Sequence, residues 1–226
     1  MSNFDWTDVD CFCFDVDSTI TIDEGIDELA KYFHKEDEVK NITNRAMGGS
    51  MDFRTALEYR LNIIEPTFQT LTKFIESRKS RRLLTPGIQQ LIDFLRNSGK
   101  DIYLISGGMK KIIEPTANLL GIPRENIFAN TLLFHKDGSY RGFDINQPTS
   151  SQSGKSRVIN WLKTHRGYKK VIMIGDGVTD LESSPPADLF IGFGGNVIRD
   201  EVRRQAPLYF TDFYNLIDYL QQKSVI

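Results

Sequence analysis

Polar and glycine residues follow apolar runs at three places in this sequence, where each run ends. The runs lead into Asp15-Val16-Asp17-Ser18-Thr19, into Ser106-Gly107-Gly108, and into Gly175-Asp176-Gly177-Val178-Thr179-Asp180. Short apolar runs bounded by such residues are typical of buried strands. Ligands of an open parallel sheet bind beyond the carboxyl ends of its strands. We therefore expect the three segments to converge and their four carboxylates to face one crevice.

Four carboxylates in one crevice repel one another unless a cation lies among them. Oxygen ligands favour Mg²⁺ over Zn²⁺, and His34, His135 and His165 are too far apart for a metal-ligand spacing. A single Asp after a strand is commonly a helix cap or a turn residue. That reading explains three coincident segments poorly, so the sequence predicts a magnesium site.

Lys155 is the candidate cation for a phosphate site. A carboxylate that attacks phosphorus needs positive charge around the phosphate to offset repulsion. Lys155 opens a predicted helix after Ser153-Gly154, where the helix dipole does not favour a cation. The alternative is that Lys155 is an ordinary surface residue.

Two glycine-containing segments have competing interpretations. Ser106-Gly107-Gly108 could present hydrogen-bond donors to a phosphate oxygen, or it could be a tight turn that needs glycine for steric reasons. Gly192-Phe193-Gly194-Gly195-Asn196 lacks the dinucleotide-binding fingerprint and is interpreted as a structural turn. Because the sequence has no Gly-x-Ser-x-Gly motif, hydrolytic chemistry would depend on the carboxylates.

The periodicity of apolar residues divides the chain. From Glu24 to about Ser80 they recur at helical spacing without a strand candidate, which predicts a helical insert. After Thr85-Pro86-Gly87, helices and strands alternate as in a parallel sheet covered by helices. Predicted strands span residues 11–14, 101–105, 170–174, 187–191 and 208–210, with a hairpin of 127–134 and 140–143 around Asp137-Gly138. Predicted helices span residues 88–97, 110–120, 155–164, 177–183, from 198 onward, and 213–222.

Composition excludes several classes of function. The 226 residues include 28 basic and 30 acidic ones, a net charge of -2, without the basic patch of a protein that binds nucleic acid or a membrane surface. Cys11 and Cys13 are expected to be buried strand residues rather than a disulfide or metal pair. No leader or membrane-spanning run is evident, so we expect a cytoplasmic protein.

The segments Asp15-Val16-Asp17-Ser18-Thr19, Ser106, Lys155 and Gly175-Asp176-Gly177-Val178-Thr179-Asp180, in this order, resemble the four motifs of the haloacid dehalogenase (HAD) superfamily of phosphatases. Nearly the whole chain resembles the short eukaryotic branch that acts on O-phospho-L-serine. The resemblance implies an α/β fold with a Rossmann-like core of residues 1–20 and 82–226 and an inserted helical cap of residues 21–81. It also implies hydrolysis of O-phospho-L-serine, the last step of L-serine biosynthesis, and it suggests a homodimer.

The same resemblance assigns roles at the chemical centre. Asp15 would be the nucleophile, and Asp17 would protonate the leaving oxygen and then activate water. Mg²⁺ would be bound by the carboxylates of Asp15 and Asp176 and by the backbone carbonyl of Asp17, with Asp180 in support. Ser106 and Lys155 would hold the phosphoryl oxygens.

The resemblance further makes Glu24 the partner of the substrate ammonium and Arg60 the partner of its carboxylate. Without it, Glu24 would be interpreted as a residue of a first helical turn and Arg60 as part of a solvated helix face. The other residues expected to contact substrate are Met47, Gly48, Phe53, Gly107, Gly108 and Thr179.

Besides hydrolysis of O-phospho-L-serine, which is the first hypothesis, two alternatives remain open. The same chemistry could act on another small phosphomonoester or transfer the phosphoryl group to an alcohol. A non-catalytic binding protein on a degenerate phosphatase scaffold is a third hypothesis, but it predicts loss of Asp15, Asp17, Lys155 or Asp176, and all four are present.

Overall fold

The fold is built on a parallel β-sheet. The structure is a computed structural model that describes residues 5–47, 51–78 and 83–223, without the side chains of Asn44 and Met47. Within these ranges six strands pair in the order β3-β2-β1-β6-β7-β8, every pair parallel. They are β1 (Cys11–Phe14), β2 (Asp101–Met109), β3 (Ile127–Asn130), β6 (Val171–Gly175), β7 (Leu189–Phe193) and β8 (Leu208–Phe210). The predicted α/β class is confirmed.

Helices cover both faces of the sheet. They are α5 (Ile88–Asn97), α6 (Lys110–Leu119), α7 (Gly154–Arg166), α8 (Val178–Leu181), α9 (Asp200–Gln205) and α10 (Phe213–Lys223). Alternate β1 side chains point to opposite faces: Phe12 and Phe14 pack in a core with α5, α6 and α10, while Cys11 and Cys13 pack in another core with α7 and α9. Both cysteines are free and buried, as predicted.

The helical insert lies between β1 and α5. Its helices are α1 (Gly25–Tyr32), α2 (Glu36–Met47), α3 (Phe53–Ile64) and α4 (Phe68–Arg78). The two connections to the sheet meet at a neck, where Thr21 bridges Leu84 and the Ile22 N–H donates to the Leu83 carbonyl at 2.9 Å. Within the described ranges, no helix has the length and apolarity needed to cross a membrane.

The predicted first strand of the hairpin, residues 127–134, is in fact two strands. Its first half is β3, whereas β4 (Leu132–Phe134) pairs antiparallel with β5 (Tyr140–Phe143) outside the main sheet. Asn130 is fully buried at the break, and its side chain bonds the Gly107 and Thr149 carbonyls. In the sequence, the polar pair Asn130-Thr131 gives no sign that the strand changes its partner at this point.

The β4–β5 hairpin packs on the insert although it follows β2 in the chain. Leu132 and Phe143 share a buried cluster with Leu29 and Leu61 of the insert and Ile112 of α6. Phe68 of α4 adds an edge-on contact with the Phe134 ring, and its N–H donates to the Gly138 carbonyl. The insert is therefore held by the hairpin as well as by the neck.

Candidate active site

Asp15, Lys155 and Asp180 form a buried charge cluster at the carboxyl edge of the sheet. Asp15 directly follows β1, and Lys155 lies in the first turn of α7. The Lys155 Nζ is 2.8 Å from Asp15 Oδ1 and 2.6 Å from Asp180 Oδ1. Lys155 is 7% exposed and Asp180 is fully buried, so the surface-residue alternative for Lys155 is wrong.

A carboxylate oxygen of Asp176, which follows β6, lies within 4.8 Å of oxygens from Asp15 and Asp180. Burial and then the nearby Asp15 charge raise the pKa of Asp180 well above its usual range and raise the pKa of Asp176. Burial alone would lower the pKa of Lys155, but the charges of Asp15 and Asp180 raise it overall. An all-oxygen set of this kind fits a hard divalent cation.

Asp17 lies beside this cluster in the turn Val16–Ile20, where the next residue, Ser18, has a left-handed φ of 56°. The Asp17 carboxylate accepts hydrogen bonds from the Gly25 N–H at 2.6 Å and the Ser106 hydroxyl at 3.4 Å. Burial, with the charges of Glu24 and Asp15, raises the pKa of Asp17 to about 8. Asp15 and Asp17 thus lie two residues apart in different environments.

Ser106-Gly107-Gly108 is extended and belongs to β2, so the predicted end of this strand at residue 105 is wrong and the alternative of a tight turn is excluded. Ser106 is fully buried, and its Oγ accepts from the Gly108 N–H at 2.9 Å. A Cβ on Gly108 would lie 2.8 Å from Asp17 Oδ2, and one on Gly107 would lie 2.6 Å from the Phe53 ring. Glycine therefore allows close approach rather than a turn.

Arg199 is a site residue for which no role was predicted from the sequence. Its Nε donates to Asp176 Oδ2 at 2.8 Å, and its Nη2 lies 3.4 Å from Glu24 Oε1, which also accepts from the Ser18 hydroxyl. Arg199 follows β7, so the rule that ligands bind beyond strand ends was the signal available. It links a carboxylate of the chemical centre to one at the edge of the insert.

The glycines before Arg199 make room for a tyrosine. A Cβ on Gly192 would lie 2.6 Å from the Tyr209 ring, and one on Gly194 would overlap its hydroxyl. Asn196 then bonds the Ser18 carbonyl at 3.0 Å and the Thr85 hydroxyl at 2.7 Å. This packing agrees with the structural interpretation of the segment.

A cleft of about 850 Å³ separates this edge of the sheet from the insert. Arg60 of α3 lines the cleft, and burial lowers its pKa while Asp27, Glu24 and Asp17 oppose that shift. The described candidate residues that line the cleft are Asp15, Asp17, Glu24, Phe53, Arg60, Gly107, Gly108, Lys155, Asp176 and Thr179. The predicted contacts of the Met47 side chain and of Gly48 lie outside the described residues.

Residues 9–188 of the chain match the sequence-family model described as haloacid dehalogenase-like hydrolase. The chain therefore belongs to this family of hydrolases. It is 49% identical to the phosphoserine phosphatase of Homo sapiens over 213 residues, 94% of each chain. It is 52% identical to that of Drosophila melanogaster over 91% of this chain and 76% of the other.

A solved structure agrees with these relatives. A phosphoserine phosphatase determined as an analogue of its phospho-aspartyl intermediate is 27% identical to this chain, with a TM-score of 0.78 over 93% of this chain and 98% of the other. The resemblance drawn from the motifs is thereby confirmed.

Proposed function

We propose that this protein hydrolyses O-phospho-L-serine to L-serine and phosphate through a phosphorylated Asp15. The observation that supports this most is the ion pair of Asp15 with the buried Lys155 in the cleft that Glu24 and Arg60 also line. A nucleophile with a fixed cation suits a phosphate, and a carboxylate with a guanidinium suits an amino-acid zwitterion. Relatives about half identical to the chain are phosphoserine phosphatases.

The chemistry divides between the two aspartates. A carboxylate oxygen of Asp15 forms a bond to phosphorus while the bond from phosphorus to the serine oxygen breaks, and Asp17 gives its proton to that oxygen. Water then attacks phosphorus, Asp17 accepts a proton from it, and Asp15 is released. Lys155 and Ser106 stabilise the phosphoryl oxygens.

Mg²⁺ belongs to this proposal because the donors are oxygens and three buried carboxylates converge. Asp15, Asp176 and the Asp17 backbone carbonyl would hold the ion. Asp180 accepts from Lys155 through Oδ1 and from the Gly177 N–H through Oδ2, so it would orient the cluster instead of binding directly. The ion would supply positive charge that offsets the charge of the phosphate.

The remaining parts of the proposal concern the whole chain. Residues 21–81 would act as a cap that excludes water and contacts the amino acid through Glu24 and Arg60, with Met47, Gly48, Phe53 and Thr179 around it. Residues 1–20 and 82–226 would form the catalytic core. We also propose a cytoplasmic location and a homodimer; imaging of a tagged protein and sedimentation velocity test them.

A panel of small phosphomonoesters tests the substrate. With Mg²⁺, phosphate release is expected to be fastest from O-phospho-L-serine, slower from its D enantiomer and from phosphothreonine, and to stop in excess EDTA. Failure to release phosphate from O-phospho-L-serine, or release unchanged by EDTA, would contradict the proposal. Faster release from another ester would support phosphomonoester hydrolysis but would reject O-phospho-L-serine as the substrate.

Asp15→Asn tests the nucleophile, because an amide cannot attack phosphorus as a carboxylate does. Turnover should fall at least about a thousandfold, equivalent to about 4 kcal/mol, while circular dichroism stays that of the wild type. Asp218→Asn, the same change at an exposed site on α10, serves as the control. Activity of Asp15→Asn within about tenfold of wild type would remove Asp15 from this role.

Glu24→Gln tests recognition of the substrate ammonium. The loss in kcat/KM for O-phospho-L-serine should exceed the loss for p-nitrophenyl phosphate by at least about tenfold, since the aryl ester has no ammonium group. Both assays use the same preparation with Mg²⁺. Equal losses on the two substrates would show that Glu24 acts on the chemistry and not on the amino acid.

A further inference from the structure

Arg54 binds the insert to the catalytic half of the molecule through contacts separate from the neck. It lies in the first turn of α3, next to Phe53. Its Nε and Nη2 donate to the Ser150 carbonyl and hydroxyl at 3.3 and 3.0 Å, and Nη2 also reaches the Ile145 carbonyl at 3.3 Å. A planar guanidinium donates from separate nitrogens in a fixed geometry, whereas an ammonium donates from a single nitrogen.

The acceptors lie in residues 145–150, a segment that we call the platform. It leads directly into α7, the helix that carries Lys155. Gly154 packs so closely on the platform that a Cβ there would lie 2.3 Å from the Pro148 carbonyl oxygen. The position of the platform is thus fixed relative to the start of the helix that holds the phosphate-binding lysine.

Asn130 of β3 links the platform to β2 through hydrogen bonds. Its side chain donates to the Gly107 carbonyl at 2.8 Å and accepts from the Thr149 hydroxyl at 3.1 Å. Asn130 is fully buried, where such bonds are costly to lose. The platform is therefore tied to the β2 segment that contains Gly107.

Phe53 of α3 contacts the same β2 segment. A Cβ on Gly107 would lie 2.6 Å from the Phe53 ring, so the ring rests on the glycine. Arg60 lies two turns further along α3, on the wall of the cleft. The hydrogen bonds of Arg54 join the first turn of this helix to the platform.

We propose that Arg54 is a positioning residue that docks α3 on the platform and so fixes Arg60 and Phe53 at the distance O-phospho-L-serine requires. Arg54 does not touch the substrate; it acts through α3. The ion pairs of Lys155 with Asp15 and Asp180 do not involve Arg54. The inference rests on the proposed substrate. Loss of Arg54 is expected to weaken recognition of the amino-acid part of O-phospho-L-serine and not of its phosphate.

Steady-state kinetics of Arg54→Ala test this inference. The KM for O-phospho-L-serine should rise about tenfold, with a smaller change in kcat, while the KM for p-nitrophenyl phosphate should change less than about twofold. Arg54→Lys, which keeps one donor group, should give an intermediate KM and remains informative if the alanine variant does not fold. Lys73→Ala removes an exposed cation from α4 and should match the wild type.

Hydrogen exchange of the substrate-free protein provides a second test. Amides of α3 should exchange faster in Arg54→Ala than in wild type, while amides of β2 should not change. A KM within twofold of wild type with unchanged α3 exchange would overturn the inference, and so would equal losses on both substrates. If wild type released no phosphate from O-phospho-L-serine, the proposed function would fail, and the exchange experiment would still decide the role of Arg54.

Discussion

At the scale of residues, the site alternates anions with fixed cations. Lys155 lies between Asp15 and Asp180, and Arg199 lies between Asp176 and Glu24. Each arrangement lowers the cost of burying carboxylates. Asp17 has neither cation as a direct partner, and it is the carboxylate to which we assign proton transfer.

Gly108→Ala tests how closely the groups around Asp17 must pack. A Cβ there would lie 2.8 Å from Asp17 Oδ2 and 3.1 Å from Ser106 Oγ, so the carboxylate must shift. We expect kcat to fall by about a hundredfold, equivalent to about 2.7 kcal/mol, in assays of phosphate release.

Gly99→Ala is the matched control for that change. Gly99 has a φ of +74° and no atom within 4 Å of an added Cβ, so the variant should lose about 1 kcal/mol of stability and keep its kcat. Equal kcat values for the two variants would contradict the packing argument.

The sequence was sufficient to predict the residues that end strands, because parallel strands bring their carboxyl ends together. Asp15, Asp17 and Asp176 were predicted in this way and line the same cleft as Lys155, which was predicted as a candidate cation at the start of a helix. Arg199 and Arg54 were missed because their partners lie in segments distant in the chain. The position of Arg199 after β7 was the signal available for it, whereas a lone arginine on a helix, such as Arg54, gives no sign of its partners.

At the scale of elements, the β4–β5 hairpin supports the insert. Its apolar side chains complete the buried cluster of α1, α3 and α4, and Lys111 of α6 adds a cation–π contact with Phe68, 4.0 Å from the ring centroid. The predicted hairpin turn was correct. The bend before it was not predictable, since Asn130 reads as an ordinary polar residue until its buried partners are known.

Phe143→Ala tests this support. Phe143 is 8% exposed in the shared cluster, and truncation of a buried Phe costs about 3 to 5 kcal/mol. Denaturant unfolding should show a loss near the lower end of that range, and hydrogen exchange should show weaker protection in α1 and α3.

The comparison for Phe143→Ala is Leu119→Ala. Leu119 is 70% exposed on α6, so its truncation should change stability by less than about 0.5 kcal/mol. If Phe143→Ala were as mild as this, the hairpin would not support the insert.

At the scale of the whole molecule, the carboxyl edge of the sheet carries an excess of buried negative charge. The buried carboxylates of Asp15, Asp176 and Asp180 converge there, and Lys155 and Arg199 offset only part of their charge. Folding must bring these carboxylates together. A cation that binds the native state but not the unfolded chain would therefore stabilise the fold.

Thermal unfolding with and without Mg²⁺ tests this without an activity assay. At a concentration 100 times the Kd, the ion should add about 2.7 kcal/mol and raise Tm. Asp176→Asn should abolish the increase, whereas Asp188→Asn, at the amino end of β6 beside Val171, should retain it. An increase of the same size in Asp176→Asn would place the ion elsewhere.

The neck between Thr21 and Leu84 has a consequence for how such a protein can diversify. Both ends of the insert leave the sheet at one bridge, and no strand of the described sheet lies between them in the chain. An insert of another length or shape can therefore be exchanged there without altering strand order or register. Recombination at this one site would give the same phosphoryl chemistry a new choice of substrate.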